Sequence, residues 1–341
     1  MSDKQNPKRA KTLRQAQSVV PTTQQLSLWQ IPQKGFSRTA ELYDFIPRFV
    51  FGKQGEDDFD DKGRLKPIDR EFNYSNQNYK VYVGTVQIKN ENKKGQEDDN
   101  IFCLPGKRER IIEDVLRKFA VDGKTYSIDN RLGVVFTEYE LFEELKKRGH
   151  TFSYVEIRQA LEVLTSATIK LHKVLSVKNE QILKEPFMTM VSETEEGWKG
   201  NGKRNAHLVF FNSLIKESIA KQTYRRYDYE LCMGYKNEIS VYLHKRLSHR
   251  FIQASYDKSY EIRLSTIIEG CGLKRQKYLS WENKSVIQAL EEMKKNNVLL
   301  KWEVKKIRGD YQYQIFASPK FCNEMRGSNV EQGKLIDISG L

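Results

Sequence analysis

Thr137-Glu138-Tyr139-Glu140-Leu141-Phe142-Glu143-Glu144-Leu145-Lys146-Lys147-Arg148-Gly149 reads as one helix with its start and its stop both written out. Thr137 is placed to accept from the Glu140 backbone N–H, and Glu140 to reach back to Thr137; the pair satisfies two of the donors a helix start leaves orphaned. Leu141, Phe142 and Leu145 fall on one face. Lys146, Lys147 and Arg148 sit at the negative end of the helix dipole, and Gly149 stops the helix. After the short turn His150-Thr151-Phe152 the signal returns. Ser153-Tyr154-Val155-Glu156 is a second capping box, opening a helix with Tyr154, Ile157, Leu161 and Leu164 inward and Arg158, Gln159 and Glu162 outward.

Upstream, Arg108 to Ala120 carries Ile111, Ile112, Val115, Leu116, Phe119 and Ala120 at helical spacing, and Leu132 to Phe136 is a short strand. Downstream, Thr168 to Leu175 and Pro186 to Val191 are β-rich, and His207 to Phe211 closes the unit. Helix, strand, helix, tight turn, helix and β-hairpin is the winged-helix form of the helix-turn-helix.

The order then repeats, in element type rather than residue identity. Tyr235 to Phe251 is a long helix and Tyr260 to Leu264 a strand. Thr266-Ile267-Ile268-Glu269 reads as a third capping box, with a short helix ending at Gly270-Cys271-Gly272. A basic loop leads to a helix over Trp281 to Asn296, with Val286, Ala289, Leu290 and Met293 inward. Val298 to Val304 and Tyr311 to Phe316 make a hairpin around Lys305-Lys306-Ile307-Arg308-Gly309-Asp310. The expected class is α+β, with two tandem winged helices at about 107–220 and 230–325.

The whole chain divides accordingly: 1–35 a flexible basic arm, 36–105 a β-containing N-terminal region, 106–222 the first winged helix, 223–341 the second. In 36–105, Tyr79 to Ile88 reads as a strand with Ile101 to Leu104 as its hairpin partner. The acidic stretches 56–61 and 97–99 read as solvated loops. Tyr224-Arg225-Arg226-Tyr227-Asp228-Tyr229 either stacks on unpaired bases or joins the two units with its tyrosines buried; the second reading is favoured.

The chain has 341 residues, and its 58 Lys+Arg against 45 Asp+Glu leave a net charge of +13. That excess points to a polyanionic partner, with nucleic acid first. No apolar run is long enough for a membrane span, and the N-terminus lacks the core of a secretory signal. Cys103, Cys232, Cys271 and Cys322 are widely spaced without a CxxC pair, which argues against zinc and disulfides and fits a cytoplasmic setting.

Catalytic constellations are absent or spoiled. Gly197 to Arg204 nearly fits a phosphate-binding loop, but Arg204 stands where a hydroxyl must meet magnesium, and a strand follows instead of a helix. His244 and His249 are five apart, not the four of a zinc-binding helix face. No histidine–hydrophobic–histidine motif offers a tyrosine nickase its metal. No enzyme activity, cofactor or metal is expected.

A winged helix places its second short helix in the major groove and its wing on the neighbouring backbone. The first unit's candidate readers are Ser153, Arg158 and Gln159; its alternative role is dimerisation, since Glu156 and Glu162 repel phosphate. The second unit offers Lys274, Arg275, Lys277, Tyr278, Asn283 and Lys284 around the start of its reader helix, with Lys305, Lys306 and Arg308 on the wing. Lys236, His244, Lys245, Arg246, His249 and Arg250 on the helix 235–251 read as a solvated face or as backbone contacts. In the arm, Gln25-Leu26-Ser27-Leu28-Trp29 matches the sliding-clamp-binding pentapeptide Q-L-[SD]-L-F, with Trp for Phe. Two leucines and an aromatic on a mobile peptide suit an apolar groove on a partner.

Across about 105–325 the chain resembles the plasmid replication initiators of the iteron-binding Rep class, TrfA-like branch. The resemblance rests on Thr137 to Leu164, on Phe210-Phe211-Asn212-Ser213 through Tyr229 to His249, and on Leu264 to Met293. TrfA-like proteins also carry a clamp-type motif before the winged helices. The resemblance implies binding to direct repeats in double-stranded origin DNA and melting of an A·T-rich segment, exposing single-stranded DNA. It further implies recruitment of the host initiator, the replicative helicase and the bacterial sliding clamp; a homodimer goes with the dimerising alternative for the first unit. The alternatives are a winged-helix transcription repressor and an origin-nicking enzyme.

Overall fold

The computed structural model describes residues 21–52, 54–89, 100–128, 131–176, 179–193, 206–255 and 257–339. The arm's basic residues before 21, the acidic stretch 97–99 and the loop Gly197 to Arg204 lie outside the described residues.

The first described element corrects the expected arm. Helix α1 (Thr23–Trp29) is capped by Thr22, whose Oγ1 accepts from the Gln25 N–H while Gln25 Oε1 accepts from the Thr22 N–H at 2.8 Å. Trp29 is fully buried, its ring edge-on to Tyr224 with centroids 5.0 Å apart. Gln25 Nε2 donates to the Ala220 carbonyl at 2.8 Å, and Leu26 and Leu28 pack on the core; of the five residues only Ser27 is exposed. A tryptophan with this much apolar surface is held by the fold and is not free to fill a partner's groove.

Strand β1 (Phe36–Ala40) pairs antiparallel with residues 224–228, so the segment between the two units is half of a two-stranded sheet. Tyr224, Tyr227 and Tyr229 are buried there, as the joining reading of that stretch required. Helix α2 (Glu41–Phe45) follows. Strands β2 (Ile68–Tyr74) and β3 (Gln77–Val83) form a hairpin turned at Ser75 and Asn76, both at positive φ, the backbone such two-residue turns require. Strand β4 (Val86–Lys89) pairs with β5 (Asn100–Cys103), so the single strand expected over Tyr79 to Ile88 is broken at Gly84-Thr85 and only its second part takes the expected hairpin partner.

Helix α3 (Lys107–Phe119) departs from an ordinary amphipathic helix. Its apolar stripe is buried, but so are Glu113, Asp114 and Arg117 on the other side. Strands β6 (Thr125–Ile128) and β7 (Arg131–Thr137) lead into α4 (Glu138–Lys147) and α5 (Tyr154–Ser166), each with its capping box formed at Thr137 and Ser153. Strands β8 (Thr168–Ser176) and β9 (Asn179–Pro186) are a hairpin whose ladder runs to Pro186. The strand expected over 186–191 is β10 (Met188–Glu193), and it pairs with β11 (Ala206–Phe211), the strand that closes the unit; the β8 partner, β9, is the strand the sequence pattern does not announce. One sheet runs β10-β11-β7-β6 and another β2-β3-β8-β9. Region 36–105 contains strands as expected, and it shares a sheet with the first unit because β3 pairs directly with β8.

Helix α6 (Ser213–Ala220), strand β12 (Tyr224–Asp228) and helix α7 (Tyr229–Gly234) precede α8 (Glu238–Arg250), which Asn237 caps. Strand β13 (Ser259–Arg263), helices α9 (Leu264–Cys271) and α10 (Leu279–Lys295), and strands β14 (Leu299–Ile307) and β15 (Asp310–Ala317) follow, with sheet order β13-β15-β14. Thr266 is not the cap of α9. That helix starts two residues earlier, and Asp310, at the hairpin turn, takes the Ser265 N–H at 3.3 Å and the Ser265 hydroxyl at 2.7 Å. Helix α11 (Pro319–Ser339), unanticipated from the sequence, closes the chain. Its Glu331 lies 2.7 Å from Arg38 of β1.

A buried set of charges ties the regions together. Arg117 bridges Asp44 of α2 at 2.8 Å and Asp114 at 2.7 Å. Lys245 of α8 meets Asp114 at 2.7 Å, and Arg48 meets Glu113 at 3.0 Å. Burial alone would raise the Asp114 carboxyl; Lys245, Arg117 and Arg110 overcome it and hold the group at about 2. His244 and Lys245 are therefore neither a solvated face nor backbone contacts, being 0% and 7% exposed.

Candidate nucleic-acid interface

The face built by α9, α10 and the β14–β15 hairpin carries the second unit's candidate residues. Helix α9 stops at Gly272, whose φ of 77° is left-handed backbone that suits glycine. The loop that follows is bound to the next helix by one carboxylate. Glu282, 1% exposed, accepts from the Gln276 N–H at 2.7 Å and lies 3.2 Å from Arg275 Nε. Arg275 is thus a structural tie as well as a surface charge. Lys274 is exposed and reaches Asp58 at 2.9 Å, so the acidic stretch 56–61 touches the reader loop instead of standing free in solvent. The hydrogen bond from Lys274 holds the Asp58 carboxyl below its usual range.

On α10 the core side is filled by Val286, Ala289, Leu290 and Met293. Trp281, Lys284 and Gln288 recur at helical spacing on the opposite, exposed face. Asn283 does not belong to that face. It is half-buried, and its Oδ1 accepts from the Tyr313 hydroxyl of β15, so its reading as an outward reader is corrected. Tyr278 and Trp281 are 49% and 53% exposed, with ring centroids 4.7 Å apart in an edge-to-face pair. Lys277 Nζ lies 5.4 Å from the Tyr278 ring centroid.

The hairpin extends this surface. Lys305, Lys306 and Arg308 are exposed at its tip, beside the left-handed turn residue Gly309. Among the described residues no ion pair engages Lys284, Lys305, Lys306 or Arg308, whereas Lys301 is paired with Glu303 at 2.7 Å. Unpaired cations on an exposed face are available to an anion without first losing a partner.

The first unit presents a different picture. Ser153 is spent on its own helix: its Oγ accepts from the Glu156 N–H at 3.3 Å, and Glu156 accepts from the Ser153 N–H at 2.8 Å. Arg158 is exposed but lies fork-on to Glu138 at the start of α4, with contacts of 2.8 to 3.1 Å. That bond holds the Glu138 carboxyl below its usual range. Gln159 is half-buried.

From sequence Trp281 reads only as a helix start; its exposure follows from the register of α10, which begins at Leu279. Among the described residues no group of three or more His, Cys, Asp or Glu is placed to hold a metal, and no helix is long and apolar enough to cross a membrane.

No protein-family model matches the chain, and no curated protein matches it. Among solved structures it is similar to domains 2-3 of RctB, at 13% identity over 85% of this chain and 98% of that chain, with a TM-score of 0.42. A selenomethionine form of RctB domains 2 and 3 aligns at 13% identity over 77% and 95% of the two chains, with a TM-score of 0.43. The Pi initiator protein in complex with iteron DNA aligns at 10% identity over 62% and 91%, with a TM-score of 0.40.

Proposed function

We propose that this chain is a sequence-specific duplex-DNA-binding protein that initiates plasmid replication by binding origin repeats. One observation carries the proposal. Lys284 on the exposed face of α10 and Lys305, Lys306 and Arg308 at the tip of the β14–β15 hairpin have no intrachain carboxylate engaging them among the described residues, and the Tyr313 hydroxyl bond to Asn283 holds the start of α10 against that hairpin. Lysines and arginines so placed fix a protein on the phosphate backbone, and a helix between them is positioned to meet base edges. The order α8, β13, α9, α10, β14, β15 with sheet order β13-β15-β14 supports reading this unit as a winged helix. The first unit is read as a second winged helix whose strands are shared with neighbouring sheets. Its Ser153 and Arg158 are engaged within the chain, which favours a positioning or dimerising role there over base readout.

The replication part of the proposal rests on the residues that resemble iteron-binding initiators, Thr137 to Leu164 and Leu264 to Met293 foremost. In this reading the chain binds the origin repeats, helps open a nearby A·T-rich segment, and recruits host replication proteins without itself catalysing a reaction. Sliding-clamp recruitment through Gln25 to Trp29 is no part of it, because Trp29 is buried.

The test is footprinting with the full-length chain on the DNA adjoining its own gene. Protection of short direct repeats at helical-turn spacing is expected. Protection of one inverted repeat over a promoter would instead favour a transcription repressor, and no protection would contradict duplex recognition.

A further inference from the structure

The outward stripe of α10 holds one side chain that charge does not explain. Trp281 is 53% exposed and Tyr278 is 49% exposed, and their rings meet edge-on at 4.7 Å. A single exposed aromatic is ordinary, but two large rings forming one patch between Lys277 and Lys284 are not. The core side of α10 is already filled by Val286, Ala289, Leu290 and Met293, so the indole is not a displaced core residue.

We infer that Trp281 reads a thymine in the major groove of the duplex that α10 enters; this deepens the duplex-binding reading proposed above and rests on it. Indole carries one N–H donor and no acceptor, on a broad apolar ring. In the major groove thymine presents a carbonyl acceptor, O4, beside an apolar C5-methyl. Guanine presents two acceptors and no methyl, while cytosine and adenine turn amino donors toward the groove. Thymine alone meets both halves of the indole. The position agrees, since the first residues of a recognition helix contact base edges and Trp281 is the third residue of α10. Tyr278 braces the indole from the loop side. The flanking Lys277 and Lys284 suit a groove walled by phosphates and do not suit an apolar protein partner.

The experiment uses the full-length chain to enrich duplexes from a random pool. Each thymine of the enriched sequence is then replaced singly by deoxyuridine, which removes the C5-methyl and leaves O4. Dissociation constants are measured for wild type, W281F and W281A, with unfolding midpoints followed alongside. At one thymine the replacement is expected to weaken wild type by about fivefold and W281A by no further amount, with W281F retaining the methyl sensitivity. W281A is also expected to lose about tenfold on the enriched duplex, more than it loses on random DNA. A W281A variant as sensitive as wild type at every thymine overturns the inference. So does one that weakens binding to an unstructured single strand as much as to the duplex, which would make the rings a stacking platform. Failure to enrich any sequence overturns the duplex-readout reading as a whole.

Discussion

Replacing Trp29 with alanine is expected to destabilise the fold by about 3–5 kcal/mol, the cost of deleting a fully buried large aromatic. The side chain is 0% exposed and meets Tyr224 edge-on at 5.0 Å. Urea unfolding of W29A checks this; an unchanged midpoint would return the pentapeptide to a mobile arm. The short match was legible as a motif, but whether a leucine–tryptophan pair is spare or structural depends on Tyr224 and Ala220, almost two hundred residues away. His249 gives a second test. Burial, helped by Arg225 and Arg250, pushes its imidazole down to about 3. The unfolded chain takes up that proton near pH 6.5 and the folded chain does not, so stability is full above about 6.5 and falls as pH drops toward 3. The expected loss is up to about 1.4 kcal/mol per pH unit in that window. Unfolding free energies at pH 7 and pH 5 should differ more for wild type than for H249N, and equal differences would show that His249 is protonated in the folded state.

At the scale of elements, local signals served best where a helix supplies its own cap. Thr137 and Ser153 formed both halves of their capping boxes because donors and acceptors lie three residues apart. Thr266 did not, because Asp310 comes from a distant turn to take the donors of α9. Helix α3 was legible on its apolar stripe alone; Arg117 and Asp114 pair within the helix, and Asp44 of α2 and Lys245 of α8 complete the cluster only when those elements pack against it. The acidic stretch 56–61 has the composition of a solvated loop, but the ion pair from Asp58 to Lys274 makes it a competitor for phosphate. D58N should tighten binding to random duplex at low salt by roughly fivefold, about 1 kcal/mol, through release of Lys274. D61N removes the same charge nearby without touching Lys274 and serves as the control. Equal effects of the two variants would mean that net charge alone acts.

Over the whole molecule, the order of helices and strands in the second unit followed from periodicity, whereas the sheet partners in the first unit did not. Strand β8 pairs with β3, some ninety residues earlier in the chain, and nothing local in Thr168 to Ser176 specifies that choice. The buried charges around Asp114 join α3 to α8, so the two units are braced against each other there. Binding then engages the α10–hairpin face as one surface. The salt dependence of duplex binding measures that face directly, comparing wild type with K284A/K305A/K306A. Each phosphate contact contributes about 0.9 to the slope of log K against log[salt], so the triple variant should bind more weakly with a slope shallower by up to roughly three. Weaker binding to every sequence with that shallower slope is the expected result; an unchanged affinity and slope would place the DNA elsewhere on the molecule.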